Sequence, residues 1–94
     1  MVRHGIVRTA ALTTAVSQIV VPAQKRISLT FTAGSGDYTV NTESGIVLGS
    51  GLTVAAGSNA LVLTQETHGD LVTKAFYAIG SASFTIGYVE AYEE

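Results

Sequence analysis

Hydrophobic and polar residues alternate along most of this chain with a period of two. In "RISLTFTA" (26–33), Ile27, Leu29 and Phe31 fall on one face and Ser28, Thr30 and Thr32 on the other, which predicts a half-buried strand. "DYTVN" repeats the pattern through Tyr38 and Val40, and the intervening "AGSGD" has a length typical of a hairpin turn. "LTVAA", "ALVLTQE", "DLVTKAFYAI" and "SFTIGYVEAY" follow, each rich in β-branched or aromatic residues and separated by "GSN", "THG" and "GSAS". Seven or eight short strands at spacings of about 8 to 12 residues predict an all-β chain, a compact antiparallel β-sandwich or jelly-roll-like barrel.

Helical periodicity does not compete. The best segment for it, "TAALTTAVSQIV" (9–20), carries Thr13, Thr14, Val16, Ile19 and Val20, which lose side-chain freedom in a helix. Pro22 then removes a backbone donor and pushes Val21 toward an extended shape. Residues 1–22 therefore read as an extended N-terminal arm with one or two strands, expected to order on meeting a partner. Residues 23–94 read as the compact domain.

The glycine cluster in "GIVLGSGLTVAAGSNA" (45–60) raises the possibility of a phosphate-binding loop. Such a loop needs G-x-x-x-x-G-K-[ST] and a helix behind it, whereas Gly51 is followed by Leu52 and Thr53 and then by a strand. G-x-G-x-x-G is absent too. Turns that demand positive φ are the simpler explanation.

Composition changes the picture in one respect. Charged residues make up 13 % of the chain, against roughly 25 % in an ordinary domain, while 47 % are hydrophobic. Ninety-four residues bury only about 60–70 % of their unfolded surface. Part of this apolar material therefore has no place inside one copy, and there is no cysteine to staple a thin core. Self-association, or cover by a larger partner, is the expected supplement. The net charge of −2 argues against a nucleic-acid partner. No apolar run reaches the roughly 18 to 20 residues of a membrane span. Arg3, His4 and Arg8 ahead of "AALTTAVSQIVVPAQ" imitate a secretion signal, but Thr13, Thr14, Ser17 and Gln18 interrupt its apolar stretch.

Reactive chemistry is sparse. No serine lies in a G-x-S-x-G elbow. Glu66, His68 and Asp70 in "ETHGD" could shuttle protons, but in a turn they read as a solvated tip. Asp37, Glu43 and Asp70 lack the spacing of a calcium loop, and two histidines without a thiolate do not make a zinc set. No cofactor, metal or catalytic residue is expected. A sugar-binding module would expose aromatic rings as a platform. Without Trp, Phe31, Phe84 and one of Phe76 or Tyr77 read as core, and Tyr88 or Tyr92 as core or interface. "VEAYEE" groups Glu90, Glu93 and Glu94 in a solvated tail, where a pairing of Glu90 with Arg26 would be exposed and weak.

The landmarks over residues 22–92 carry a resemblance. They run from a proline and an arginine opening an alternating strand, "PAQKRISLTFTAGSGDYTV", through "GIVLGSGLTVAAG", to "HGDLVTKAFYAIGSASFTIGYVEAY" with its terminal glutamate. This order resembles the capsid decoration (cement or head-fibre base) proteins of tailed phages. The resemblance implies a structural virion protein on the outer capsid surface, made in the host cytoplasm. It further implies a homotrimer that binds the major capsid protein lattice through terminal arms. Arg26 and Glu90 become inter-strand or inter-subunit partners, and Val7, Ile19, Val21, Tyr88 and Tyr92 complete the candidate interface. A carbohydrate-binding or receptor-recognition β module of a virion fibre or tail is the alternative, and an enzyme the remotest reading.

Overall fold

Eight strands form two antiparallel four-stranded sheets in the computed structural model, which describes residues 3–93, with side chains from Gly5 to Tyr92. In chain order the strands are β1 (Arg3–Leu12), β2 (Ser17–Val20), β3 (Arg26–Phe31), β4 (Tyr38–Asn41), β5 (Leu52–Val54), β6 (Leu61–Thr64), β7 (Phe76–Gly80) and β8 (Phe84–Glu93). One sheet runs β1-β8-β3-β6 and the other β2-β7-β4-β5. This is the strand order of a jelly roll, in which successive pairs of strands wrap across both sheets. The expected all-β class is what the chain adopts.

Alternation builds the core. Leu29, Phe31, Leu63, Ile86 and Tyr88 point inward from the first sheet, and Tyr38, Val40, Val54, Phe76 and Ala78 from the second. Phe31 sits at the centre, with its ring centroid 5.7 Å from Phe76 and 6.0 Å from Tyr88. Two hydroxyls cross between the sheets: Tyr38 Oη donates to the Thr32 carbonyl at 2.6 Å, and Tyr88 Oη to the Ile19 carbonyl at 2.9 Å.

The N-terminal segment is extended, and its two strands are laid on the same chain's sheets. β1 runs antiparallel to β8 for ten residue pairs, from Arg3↔Glu93 to Leu12↔Phe84. β2 pairs with β7. Leu12 and Val20 belong to the same core as Phe31, so packing continues across residue 22. Met1 and Val2 of the arm, and Glu94 of the acidic tail, lie outside the described residues.

Three local expectations are corrected. First, "AGSGD" is not a hairpin turn: β3 pairs with β6 and β8, and β4 with β5 and β7. The chain crosses from one sheet to the other there, beneath the Phe84 ring. A Cβ on Gly34 would stand 2.7 Å from that ring and one on Gly36 2.9 Å, so the glycines allow the crossing. Second, "DLVTKAFYAI" is not one strand. Thr64 Oγ1 accepts the Thr67 amide and caps a one-turn helix, α1 (Gln65–His68). Gly69, at φ 61°, breaks the direction, and a 3-10 turn over Gly69–Thr73 buries Val72 before β7 begins. Third, the β3 register shifts between Arg26 and Ser28. This bulge turns Arg26 inward and leaves Ile27 half-buried, against the alternation read from sequence.

Candidate functional site

The bulge in β3 makes the feature that sequence reading came nearest to finding. Arg26 is fully buried, and its guanidinium donates four hydrogen bonds. Nε reaches the Val72 carbonyl at 2.6 Å and Nη2 the Lys74 carbonyl at 2.7 Å. Nη1 reaches the Val21 carbonyl at 2.8 Å and Glu90 Oε1 at 3.2 Å. Arg26 thus ties the β2–β3 connection and the approach to β7 onto β8. Its planar fork suits this task, since its donors leave in several fixed directions.

Glu90, 1 % exposed, answers from β8. Besides Arg26, its Oε2 accepts from Arg8 Nε at 3.0 Å and from Tyr92 Oη at 2.7 Å. Arg8 reaches it from β1, where it stands opposite Tyr88 in the register. The hydrogen bond from Arg8 to Glu90 raises the Arg8 pKa above its ordinary value. Among the described residues, no buried side-chain nitrogen or oxygen lacks a partner. The Arg26–Glu90 pair, expected at the surface, is interior to one chain and joins adjacent strands.

The other candidate interface residues divide. Val7 and Val21 stand exposed, at 78 % and 65 %. Tyr88 is buried in the core, and Ile19 packs against it from β2. Tyr92 is half-buried beside Glu90. Arg26, Tyr88 and Glu90 therefore present no surface to another copy, because β3 and β8 run through the middle of their sheet and turn these side chains inward. Sequence reading missed Val47, Leu48, Leu52 and Val62, which are also exposed. The signal for Val47 and Leu48 was an apolar pair inside a glycine-rich loop, and for Val62 an apolar residue on the polar side of a strand; Leu52 is in step with Val40 and Val54 and gave none.

That loop, residues 42–51, lies on the outer side of the second sheet. The Gly49 amide donates to Thr39 Oγ1 at 2.8 Å, and Asn41 Nδ2 to the Ser50 carbonyl at 3.4 Å. Thr39 is outward-facing on β4 yet buried, because the loop covers it. Gly49 and Gly57 take positive φ, at 90° and 71°, as turn glycines do. A cleft of about 280 Å³ opens beside the loop, lined by Val40, Asn41, Thr42, Gly51, Leu52, Leu71 and Phe76. No charged group faces into it.

The remaining polar candidates do not converge. His68 Nδ1 accepts the Thr64 amide at 3.2 Å, and Glu66, His68 and Asp70 are exposed around α1. Asp37 Oδ1 accepts the Ala56 amide at 2.8 Å and braces a turn. Among the described residues, no three His, Asp or Glu side chains are placed to hold a metal ion. Of the seven aromatic rings, Phe31, Tyr38, Phe76 and Tyr88 are buried and Tyr77, Phe84 and Tyr92 are half-buried. Among the described residues, no helix is long and apolar enough to cross a membrane.

The tyrosines give this interior a pH signature. Burial raises the pKa of Tyr38, Tyr88 and Tyr92 above 10.0, with Glu90 adding to the shift at the last two. A raised folded-state pKa stabilises the fold fully below the unfolded value and loses that stabilisation as pH climbs toward the folded one. Stability is therefore expected to hold flat to about pH 9 and to fall from about pH 10 as the unfolded chain's tyrosines ionise first, with Tyr38 the largest contributor. Urea midpoints at pH 8, 10 and 11 test this. Tyr38→Phe should flatten the decline, and midpoints independent of pH would refute it.

No protein-family model matches the chain, and no curated protein matches it in sequence. In fold, the chain is similar to a solved structure of a Bacillus endospore appendage protein, described as belonging to a family of disulfide-linked pili. The likeness has a TM-score of 0.59 at 17 % identity and covers 97 % of this chain and 86 % of that one.

Proposed function

We propose that this chain is a non-enzymatic structural subunit that assembles non-covalently with copies of itself on the exterior of a larger particle. The observation that carries this reading is an apolar exterior on a satisfied interior. Six large aliphatic side chains stand exposed (Val7, Val21, Val47, Leu48, Leu52 and Val62), while the strongest polar groups are turned inward and paired. Val47, Leu48 and Leu52 follow one another in and just after the 42–51 loop, and Val7 and Val62 share the outer face of the other sheet; exposed apolar surface of this kind marks contact with another protein. The fold likeness to an appendage subunit supports a structural role. These 94 residues contain no cysteine, so the contacts available to them are packing and hydrogen bonding.

Decoration of a phage head is the specific assembly that the sequence landmarks favour, with the capsid lattice as partner. An extended filament is the second reading, favoured by the fold likeness. Light scattering at about 100 µM, a concentration at which even weak specific contacts are populated, should give a mass that is a multiple of 9.7 kDa. Electron microscopy then separates the two, as closed particles of fixed mass against continuous fibres. A monomer at that concentration with no affinity for a capsid shell removes the proposal.

A further inference from the structure

Between Gly5 and Ala11 of β1, the outer face of the β1-β8-β3-β6 sheet is built without charge. Ala10, Leu29, Phe31, Leu63, Ile86 and Tyr88 take the inner side, so the alternate positions face out. From Gly5 to Ala11 on β1, and on the strands paired across from it, these are Gly, Ala, Ser, Thr or Val. One register row crosses all four strands: Val7↔Val89, Val89↔Thr30 and Thr30↔Val62. Val7 and Val62, at its two ends, are 78 % and 52 % exposed. Charged strand residues inside this span, Arg8 and Glu90, turn away from the face and bond each other.

We propose that this face makes a two-fold, face-to-face contact with a second copy of the chain, the axis passing between Val89 and Thr30. Val7 of one copy then meets Val62 of the other, twice. The proposal rests on the reading of the chain as a self-assembling subunit. The occupant follows from chemistry and area. An uncharged face opposes its own copy without repulsion, whereas it offers no cation to a phosphate and no ring to a sugar. Within that span, seven residues of β1, seven of β8, four of β3 and four of β6 present roughly 350 Å² in projection at about 3.3 Å per residue and 4.8 Å per strand. Two such faces cover about 700 Å² before side-chain relief is counted, the size of a weak, reversible contact that forms at high concentration. Packed sheets cross at about 30°. The ends of the row lie about 7 Å from the axis, so the crossing displaces them by under about 4 Å, within reach of a lysine and a glutamate.

The test uses the full chain with Val7→Glu, Val62→Lys and the double variant, followed by light scattering and sedimentation across a concentration series. Each single change should weaken self-association at least about tenfold, by burying an unpaired charge. The double variant should return it to near the wild-type value. Positions 7 and 62 are three strand spacings apart within one chain, about 14 Å, so rescue can come only from contact between copies. Both sites are exposed, and unchanged far-UV spectra and urea midpoints establish that the variants fold. Self-association that ignores both single changes overturns the face while leaving assembly intact. Loss in the singles without rescue in the double overturns the two-fold register. A wild-type monomer overturns the assembly reading together with the face.

Discussion

Arg26→Met is expected to lower the free energy of unfolding by about 3–5 kcal/mol, the cost of breaking a buried pair by removing one partner. The side chain is fully buried, so solvent cannot replace what it supplies. Three backbone carbonyls, those of Val21, Val72 and Lys74, lose their guanidinium donors at once. Glu90 keeps Arg8 and Tyr92 but loses its buried cation. Methionine restores much of the volume and none of the donors. Arg26→Lys should rescue poorly, because an ammonium on a flexible stem cannot span four acceptors in the guanidinium's geometry. Arg26→Met/Glu90→Gln should recover only part of the loss, since the carbonyls remain unpaired. Urea denaturation followed by circular dichroism measures all three. A loss below about 1 kcal/mol for Arg26→Met would mean that the cluster behaves like an exposed pair.

Phe31→Ala is expected to cost about 3–5 kcal/mol by a different route, a cavity at the meeting point of the two sheets. Phe31 is completely buried between Phe76 of one sheet and Tyr88 of its own. Strands on both sides are held in register by backbone hydrogen bonds, so the walls cannot collapse inward to fill the space. Phe31→Leu should recover more than half of the loss, because it restores apolar contact without the ring. A small domain has only about 5–15 kcal/mol to lose, so either substitution moves it toward the threshold of folding. Thermal melts of the two Phe31 variants test the ordering. Equal losses for alanine and leucine would show that ring–ring contact, and not volume, sets the cost.

Strand existence was legible in the alternation because a sandwich buries one face of every strand, and that requirement writes a period of two into the sequence. Phe31, Tyr38 and Ile86 follow it without exception. The breaks in the pattern were not legible. A bulge is a one-residue slip whose only trace is an inward arginine where an isoleucine was due, and Ile27 in sequence looks like any core residue. The crossing at "AGSGD" was mistaken for a hairpin because glycines read the same whether they permit a tight turn or a close pass beneath Phe84. Arg26 and Glu90 were legible as a charge pair, but with the wrong surroundings, at the surface and not in the core. Their burial depends on segments far away in sequence, the Val72–Lys74 approach above all, that no local pattern reveals. The uncharged outer face was equally hidden. It comes into view only when the register lines up Val7, Val89, Thr30 and Val62 from four separate stretches of chain.

The pairing of β1 with β8 bears on how the protein is made. Ten residues at the start of this sequence find their neighbours only in a strand more than seventy positions downstream. During synthesis β1 emerges from the ribosome before β8 and has nothing to zip onto until β8 has been translated, leaving "GIVRTAAL" as an open ribbon. At about 5–20 residues per second that wait lasts several seconds or more. A nascent chain stalled before residue 84 should accordingly be cut by protease within β1, and one released after residue 93 should not.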